Sequence, residues 1–277
     1  MNSPLIFPFI ISVAYLLLIM PRVRHRANRL PFATKLFAHR GFYENGTDAP
    51  ENSLKAFQNA VDSGYGIELD VQLTKDKVPV VFHDEFLDRM CGCHGRICDH
   101  TLSELKELRL LDSDAGIPTL AEALRVIDGR VSIIVELKMR FRDYRLCEET
   151  DALLREYNGI YCMESFNPQA LMWYRKNRPE VMRGILSDGF IHRKELRKFA
   201  IGLFLLEMLL ANFVAKPDFT AYNFEYRKNP SRVLCRKLFR CASAAWTIGS
   251  EDELKKVSHA FDVFIFEGFR PEDRQSA

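Results

Sequence analysis

The stretch LFAHRGFYENGTDAPENSLKAFQNAVDSGYGIELD, Leu36 to Asp70, ends one short apolar run on His39, Arg40 and Gly41. It then sets Glu68 and Asp70, two residues apart, inside another apolar run. Between the two, Ser53 to Ser63 carries its apolar residues at helical spacing. Strand, amphipathic helix, strand is the unit of a parallel sheet, because parallel neighbours need a long crossover between them. The alternation continues through VSIIVELK, GIYCMESF, VMRGILSD, DFTAYNFEY, ASAAWTI and DVFIFEGF, with helical spacing over Thr119 to Ile127, Tyr144 to Tyr157 and Glu251 to His259. Thr101 with Glu104, Thr119 with Glu122, and Ser250 with Glu253 have the hydroxyl-to-carboxylate spacing that caps helix entrances. Strands alternating with helices in this number predict an α/β fold, a closed (β/α)8 TIM barrel.

Two segments interrupt the pattern. Residues from about 78 to 118 start like a strand and pass into a loop bearing Cys91, Cys93, His94 and Cys98, which predicts an insertion over the barrel mouth. The cysteine spacing matches no common zinc pattern and reads as a loop of reduced thiols. The run AIGLFLLEMLLANFVA, residues 200–215, resembles a membrane span, but Glu207 at its middle and its place in the alternation predict a buried barrel helix.

The amino terminus has its own character. Residues 1–20 carry no charged side chain, and Arg22, Arg24, Arg26 and Arg29 follow before any acid. This predicts an uncleaved transmembrane anchor over residues 1–30, because a secretory signal would carry its positive charge first and a small-residue cleavage site after. The arginines then stay inside, leaving a catalytic domain over 33–277 on the cytoplasmic side of the cell membrane. A net charge of +2 gives no argument for nucleic acid. Seven cysteines, an odd number without a paired framework, suit a reducing compartment.

In such barrels the active site gathers at the carboxyl ends of the strands. His39 and Arg40 follow the first strand, Glu68 and Asp70 share a face of the second, and Glu136 and Lys138 share a face of the third. Each alone has an ordinary reading as a loop histidine, a solvated acid pair or a surface charge pair. Their position at three consecutive strand ends favours chemistry instead. Converging carboxylates call for a hard divalent cation, Mg2+ or Ca2+. Arg40 and Lys138 beside it suit a phosphate group. His83, ending VPVVFHD, faces the same mouth if the insertion folds back, so two imidazoles can divide general acid and general base between them.

These residues resemble the glycerophosphodiester phosphodiesterase family. The matching segments are AHRG (38–41), PENS with AF (50–57), GIELDVQLTKD (66–76), PVVFHDEFLDR (79–89), IPTLAEAL (117–124), VELK (135–138), SFNP (165–168) and WTI (246–248). The resemblance implies His39 and His83 as the acid-base pair and Glu68, Asp70 and Glu136 as metal ligands. It implies Arg40 and Lys138 as phosphate contacts, with Glu51 supporting the substrate site. The chain departs from the family at Gly249, where an asparagine is commoner, and at FIFEGFRPE, where Thr-Asp-x-Pro is commoner; both changes are expected to bear on the alcohol pocket.

The expected activity is metal-dependent hydrolysis of glycerophosphodiesters to sn-glycerol 3-phosphate and an alcohol. Which histidine is acid and which base stays open, as does whether the attacking oxygen belongs to water or to the substrate's glycerol. Two alternatives stand beside it: a membrane-associated lysophospholipase D, and an inactive barrel that only binds phosphodiesters.

Overall fold

In a computed structural model, which describes residues 6–24, 27–190 and 200–272, the alternation closes on itself. Strands β1 (Leu36–His39), β2 (Gly66–Leu73), β4 (Ile133–Leu137), β5 (Tyr161–Ser165), β6 (Arg183–Ser187), β7 (Phe219–Asn223), β8 (Ala242–Ile248) and β9 (Val263–Phe266) pair in parallel, and β9 returns to β1, which also pairs with β2. This is the (β/α)8 barrel. Its outer ring includes α2 (Leu54–Asp62), α5 (Leu120–Ile127), α6 (Arg145–Arg155), α7 (Pro168–Asn177), α10 (Pro230–Lys237) and α11 (Glu251–Val257). The expected caps form: Thr101 and Thr119 each exchange hydrogen bonds with the glutamate three residues on, and Ser250 accepts from the Glu253 amide.

Alternation of side chains divides the core in two. Ile67, Leu69, Val71, Val135 and Met163 face outward under the helices, while Phe37, Ile134, Cys162, Phe219 and Ala244 fill the barrel interior. Phe32 plugs the floor, packing edge-on against Phe219 with ring centroids 4.8 Å apart.

After β2 the chain turns back. Strand β3 (Pro79–Val81) pairs antiparallel with β2, and short helices α3 (Asp88–Cys91) and α4 (Leu102–Lys106) follow. Val80, Phe82, Leu87, Met90, Ile97 and Leu105 give this excursion a small core of its own. The Phe82 amide donates to the Asp70 carbonyl (2.9 Å), and Gln72 Nε2 donates to the carbonyls of Phe82 and Asp84 (2.8 Å each). These bonds hold His83 at the mouth.

The N-terminal span is corrected by the structure: among the described residues no helix is long and apolar enough to cross a membrane. Helix α1 (Ile6–Ile19) has 14 residues, about 21 Å at 1.5 Å per residue against a hydrocarbon core of about 30 Å. Its last turn docks on the barrel, where the Ile19 carbonyl accepts from Asn212 Nδ2 (2.9 Å) and Cys235 Sγ (3.2 Å). Two of the arginines beyond it, Arg22 and Arg29, bond to the barrel floor. Arg22 donates to the Pro179 carbonyl (2.6 Å) and lies 3.6 Å from Asp218, and Arg29 donates to the Arg240 carbonyl (2.8 Å). Arg26 and residues 1–5 lie outside the described residues. The run 200–215 is also corrected, since it splits into α8 (Ala200–Glu207) and α9 (Asn212–Ala215) around a left-handed Leu209. Glu207 and Leu209 are buried, but Ile201, Phe204 and Leu205 face out.

Because Ala27 and Phe32 belong to the interior core, the segment after α1 is structural. Phe32→Ala is expected to cost about 3 kcal/mol, read as a lower urea midpoint at unchanged slope. An unchanged midpoint would show that this ring does not close the floor.

Candidate active site

The site begins with a tight turn. Arg40 (φ 56°) and Gly41 (φ 83°) are both left-handed, and a Cβ on Gly41 would lie 2.9 Å from the Ala56 backbone. Only glycine fits there. The turn brings the Arg40 amide to Glu68 Oε2 (3.2 Å) and the Arg40 carbonyl to the Asn52 amide (2.9 Å), so α2 and β2 are tied to the end of β1.

Strand register then stacks the acids. His39 stands opposite Glu68, Asp70 opposite Glu136, and Glu136 opposite Glu164. Glu68, Asp70 and Glu136 are buried and each offers an oxygen within 4.8 Å of the others. Lys138 Nζ lies 2.9 Å from both Asp70 Oδ1 and Glu136 Oε1, Arg40 Nε lies 3.6 Å from Asp70 Oδ2, and Asn52 Nδ2 donates to that oxygen (2.9 Å). Burial pushes the Glu68 carboxyl well above the usual range, and repulsion from Asp70 and Glu136 adds to it. Burial also raises Glu136, against the pull of Lys138. Asp70 goes the other way, because Lys138, His83 and Arg40 outweigh the effect of its burial. Such a set is short of positive charge. A hard cation between the three carboxylates fits the donor set and relieves that repulsion.

A second set of contacts fixes the cationic side. Glu51 is almost fully buried with both oxygens held by arginines: Arg40 Nη1 at 2.7 Å, Arg89 Nη1 at 2.8 Å and Arg89 Nη2 at 2.6 Å. Arg89 Nε also donates to Asp84 (2.6 Å), and Asp84 pairs with His83 Nδ1 (2.7 Å). The insertion is therefore wired to Arg40 through Glu51, which orients Arg40 and has no free oxygen for substrate.

The other histidine has a partner of its own. His39 Nδ1 lies 2.5 Å from Glu267 Oε2, which also accepts from Tyr43 OH (3.0 Å). The hydrogen bond from His39 holds the Glu267 carboxyl down at about 2 despite partial burial. A carboxylate only accepts, so Nδ1 carries the proton and Nε2, 3.9 Å from Glu68, presents its lone pair to the mouth. Burial lowers the imidazole below its ordinary value, and the bond to Glu267 opposes this.

The structure thus brings His39, Arg40, Glu51, Glu68, Asp70, Glu136 and Lys138 into one cluster and joins His83 to it through Asp84 and Arg89. Cys91 and Cys93 pack against the core of the excursion, and Cys98 accepts from Arg140. Four residues were missed in the sequence: Asn52, Arg89, Glu164 and Glu267. An acid inside an apolar strand was the available signal for Glu164, whose buried carboxyl is pushed well above the usual range by burial and by Glu136. The departure at FIFEGFRPE was noticed, but Glu267 bears on the acid-base chemistry of His39.

Comparison with known proteins agrees with this arrangement. The model of the glycerophosphoryl diester phosphodiesterase family matches residues 39–260. A glycerophosphodiester phosphodiesterase of Bacillus altitudinis is 36% identical over 175 residues, which are 59% of this chain and 70% of that protein. Human glycerophosphodiester phosphodiesterase 1 is 32% identical over 166 residues, 53% of this chain and 47% of the human one. An Oleispira antarctica phosphodiesterase, solved in complex with the product sn-glycerol-3-phosphate, aligns with a TM-score of 0.67 at 25% identity, covering 84% of this chain and 92% of that one. Glycerophosphodiester phosphodiesterase of Thermotoga maritima gives 0.63 at 27% identity over 84% and 94%. The chain belongs to the glycerophosphoryl diester phosphodiesterase family. It is a phosphoric diester hydrolase.

Two outcomes follow from the geometry. Since Glu68 and Glu136 hold their protons more tightly than free carboxyls, cation binding must displace protons. Calorimetry with Mg2+ or Ca2+ in buffers of different ionisation enthalpy should therefore show proton release, and affinity should rise with pH through the weakly acidic range. Glu267→Gln should lower kcat by on the order of a hundredfold with little change in KM, because an amide stabilises the wrong tautomer and no imidazolium. Glu267→Asp should recover part of the loss. Equal kcat in the glutamine variant would remove Glu267 from the chemistry.

Proposed function

We propose that the mouth hydrolyses glycerophosphodiesters to sn-glycerol 3-phosphate and an alcohol by paired histidines, with a divalent cation held by Glu68, Asp70 and Glu136. When bound, that cation neutralises the phosphoryl oxygens and favours attack on phosphorus. Arg40, aimed by Glu51, holds the diester from one side, and Lys138 offers its remaining ammonium proton from the other. The observation that carries the division of labour is the 2.5 Å contact between His39 Nδ1 and Glu267. With Nε2 unprotonated, His39 takes the proton from the attacking oxygen, and Glu267 compensates the imidazolium so formed. His83 donates to the leaving alcohol, its Nδ1 oriented by Asp84 as Asp84 is by Arg89.

The leaving alcohol would occupy a cleft of about 300 Å³ lined by Gln72, Lys77, His83, Arg96, Lys138 and Arg140. A second reading, lysophospholipase D, is favoured by one observation, the exposed apolar side chains of α1 and α8. The seven cysteines, all free, suit a reducing compartment, and on that ground we place the barrel in the cytoplasm.

Purified protein offered glycerophosphocholine and a lysophosphatidylcholine side by side, with and without chelator, tests the reading. Chelation should abolish turnover and added Mg2+ or Ca2+ restore it, while full activity in excess chelator would remove the cation from the reaction. His39→Ala and His83→Ala should each lower kcat by about a hundredfold or more. Near-normal turnover in the His83 variant would mean that the excursion does not reach the substrate.

A further inference from the structure

Among the described residues, the hydrogen bonds that tie helix α1 to the barrel come from its C-terminal half. Its last turn is bonded to Asn212 and Cys235, and one turn earlier Tyr15 OH meets Ser231 Oγ at 2.6 Å. Ser231 lies in the first turn of α10, the helix that follows β7, so it stands at the mouth end of the barrel. Cys235, one turn further along α10, lies nearer the floor. Helix α1 therefore runs from mouth to floor, and residues 6–14, which precede Tyr15, extend past the rim for about 13 Å at 1.5 Å per residue. Every one of them is exposed. Ile6, Phe7, Phe9, Ile10, Ile11 and Val13, between 40% and 72% exposed, cover a wide arc of this projection, and the remaining face holds Pro8 and Ser12, whose hydroxyl donates to the Pro8 carbonyl (2.9 Å). Helix α8 reaches the same rim: the Glu207 carbonyl accepts from Tyr222 OH (2.9 Å) and Asn229 Nδ2 (3.2 Å), two residues from Ser231. Ile201, Phe204 and Leu205 of α8 are also exposed.

We infer that the projecting half of α1, together with the outer face of α8, inserts into one leaflet of a lipid bilayer and presents the barrel mouth to the membrane surface. The distribution of the apolar side chains selects lipid as the occupant. A groove on a protein partner, or a second copy of this chain, covers one narrow stripe of a helix, whereas hydrocarbon accepts an apolar arc this wide together with a remaining face that bears no charge and whose one hydroxyl is bonded within the helix. The depth agrees, since about 13 Å is close to half of a hydrocarbon core of about 30 Å. Beyond its first turn an inserted helix bonds its own backbone groups, so only that turn carries unpaired amides into the leaflet. This is insertion from one side, unlike the span expected from the sequence. It deepens the lysophospholipid reading, because a mouth held at the interface meets single-chain lipid diesters directly. That consequence rests on the phosphodiesterase reading of the mouth; the insertion itself does not.

The test uses the full chain and vesicles of phosphatidylcholine with and without phosphatidylglycerol. Phe9→Trp should show fluorescence quenched by lipids brominated along the acyl chain, above the background of Trp173 and Trp246. Phe7→Asp combined with Phe9→Asp should lower vesicle co-sedimentation by about tenfold or more. The same double variant should leave glycerophosphocholine turnover unchanged while turnover of vesicle-borne lysophosphatidylcholine falls. Absence of quenching, or co-sedimentation that survives the double variant, overturns the insertion. So does a vesicle-independent dimer in sedimentation velocity that the double variant dissolves, which would make a second copy the occupant. If the wild-type chain binds vesicles but hydrolyses neither diester, the insertion stands and the activity reading fails. The two are thereby distinguished.

Discussion

The contact between the fully buried Asp70 and the half-buried Lys138, 2.9 Å long, is the one on which the mouth depends. Asp70 sits in the middle of β2, flanked in register by Glu136 on the next strand and, one strand further, by Glu164. An acid cluster of this density inside a barrel wall would neutralise itself by taking up protons. Lys138 and Arg40 offset burial most strongly at Asp70, whereas Glu68, Glu136 and Glu164 stay raised despite the pull of Lys138. Of these four carboxyls Asp70 gives up its proton most readily, while burial and mutual repulsion make Glu68, Glu136 and Glu164 hold theirs more tightly than free carboxyls do. A cation bound as proposed would offset that repulsion, and the three carboxylates would then not have to be held charged in its absence.

The same economy explains why the cationic residues are so heavily braced. An arginine that must meet phosphate cannot be allowed to collapse permanently onto Asp70. Glu51 draws Arg40 the other way, and Arg89 in turn occupies the remaining capacity of Glu51. The chain of contacts ends at Asp84 and His83, so the excursion after β2 and the turn after β1 are positioned by one network. Removing Glu51 would strip Arg40 and Arg89 of the buried carboxylate between them, which costs more than either contact itself contributes.

Much of this was legible in the sequence because strand period and barrel topology make it so. Once Glu68 and Asp70 lie on one face of a parallel strand and Glu136 on the next, their convergence follows from register, and the mouth follows from the carboxyl ends. Asn52, Arg89 and Glu267 were not legible for the opposite reason. They arrive from a left-handed turn, a four-residue helix and a loop after the last strand, where no period relates position to direction. Glu267 is the clearest case: a departure from the family pattern seemed remote from the phosphate chemistry until the closure of β9 onto β1 placed it against His39.

The amino terminus shows what an apolar run leaves undetermined. Absence of charge over residues 1–20 distinguishes an apolar environment from a wet one, but it does not say whether that environment is a bilayer, a leaflet or the flank of a barrel. The answer lies in the side chains that receive the helix. Asn212 and Cys235 take the Ile19 carbonyl, and Asp218 with the carbonyl of Pro179 takes Arg22, so the last turn and its basic flank are spent on the barrel floor. What remains among the described residues is an exposed apolar projection of nine residues, 6–14. Its direction, fixed by Tyr15 on Ser231, points it to the end of the barrel where the carboxylates and histidines gather. A free apolar helix at the opposite end would have carried no message about substrate; at the mouth, its position couples where the protein rests to what its site can reach.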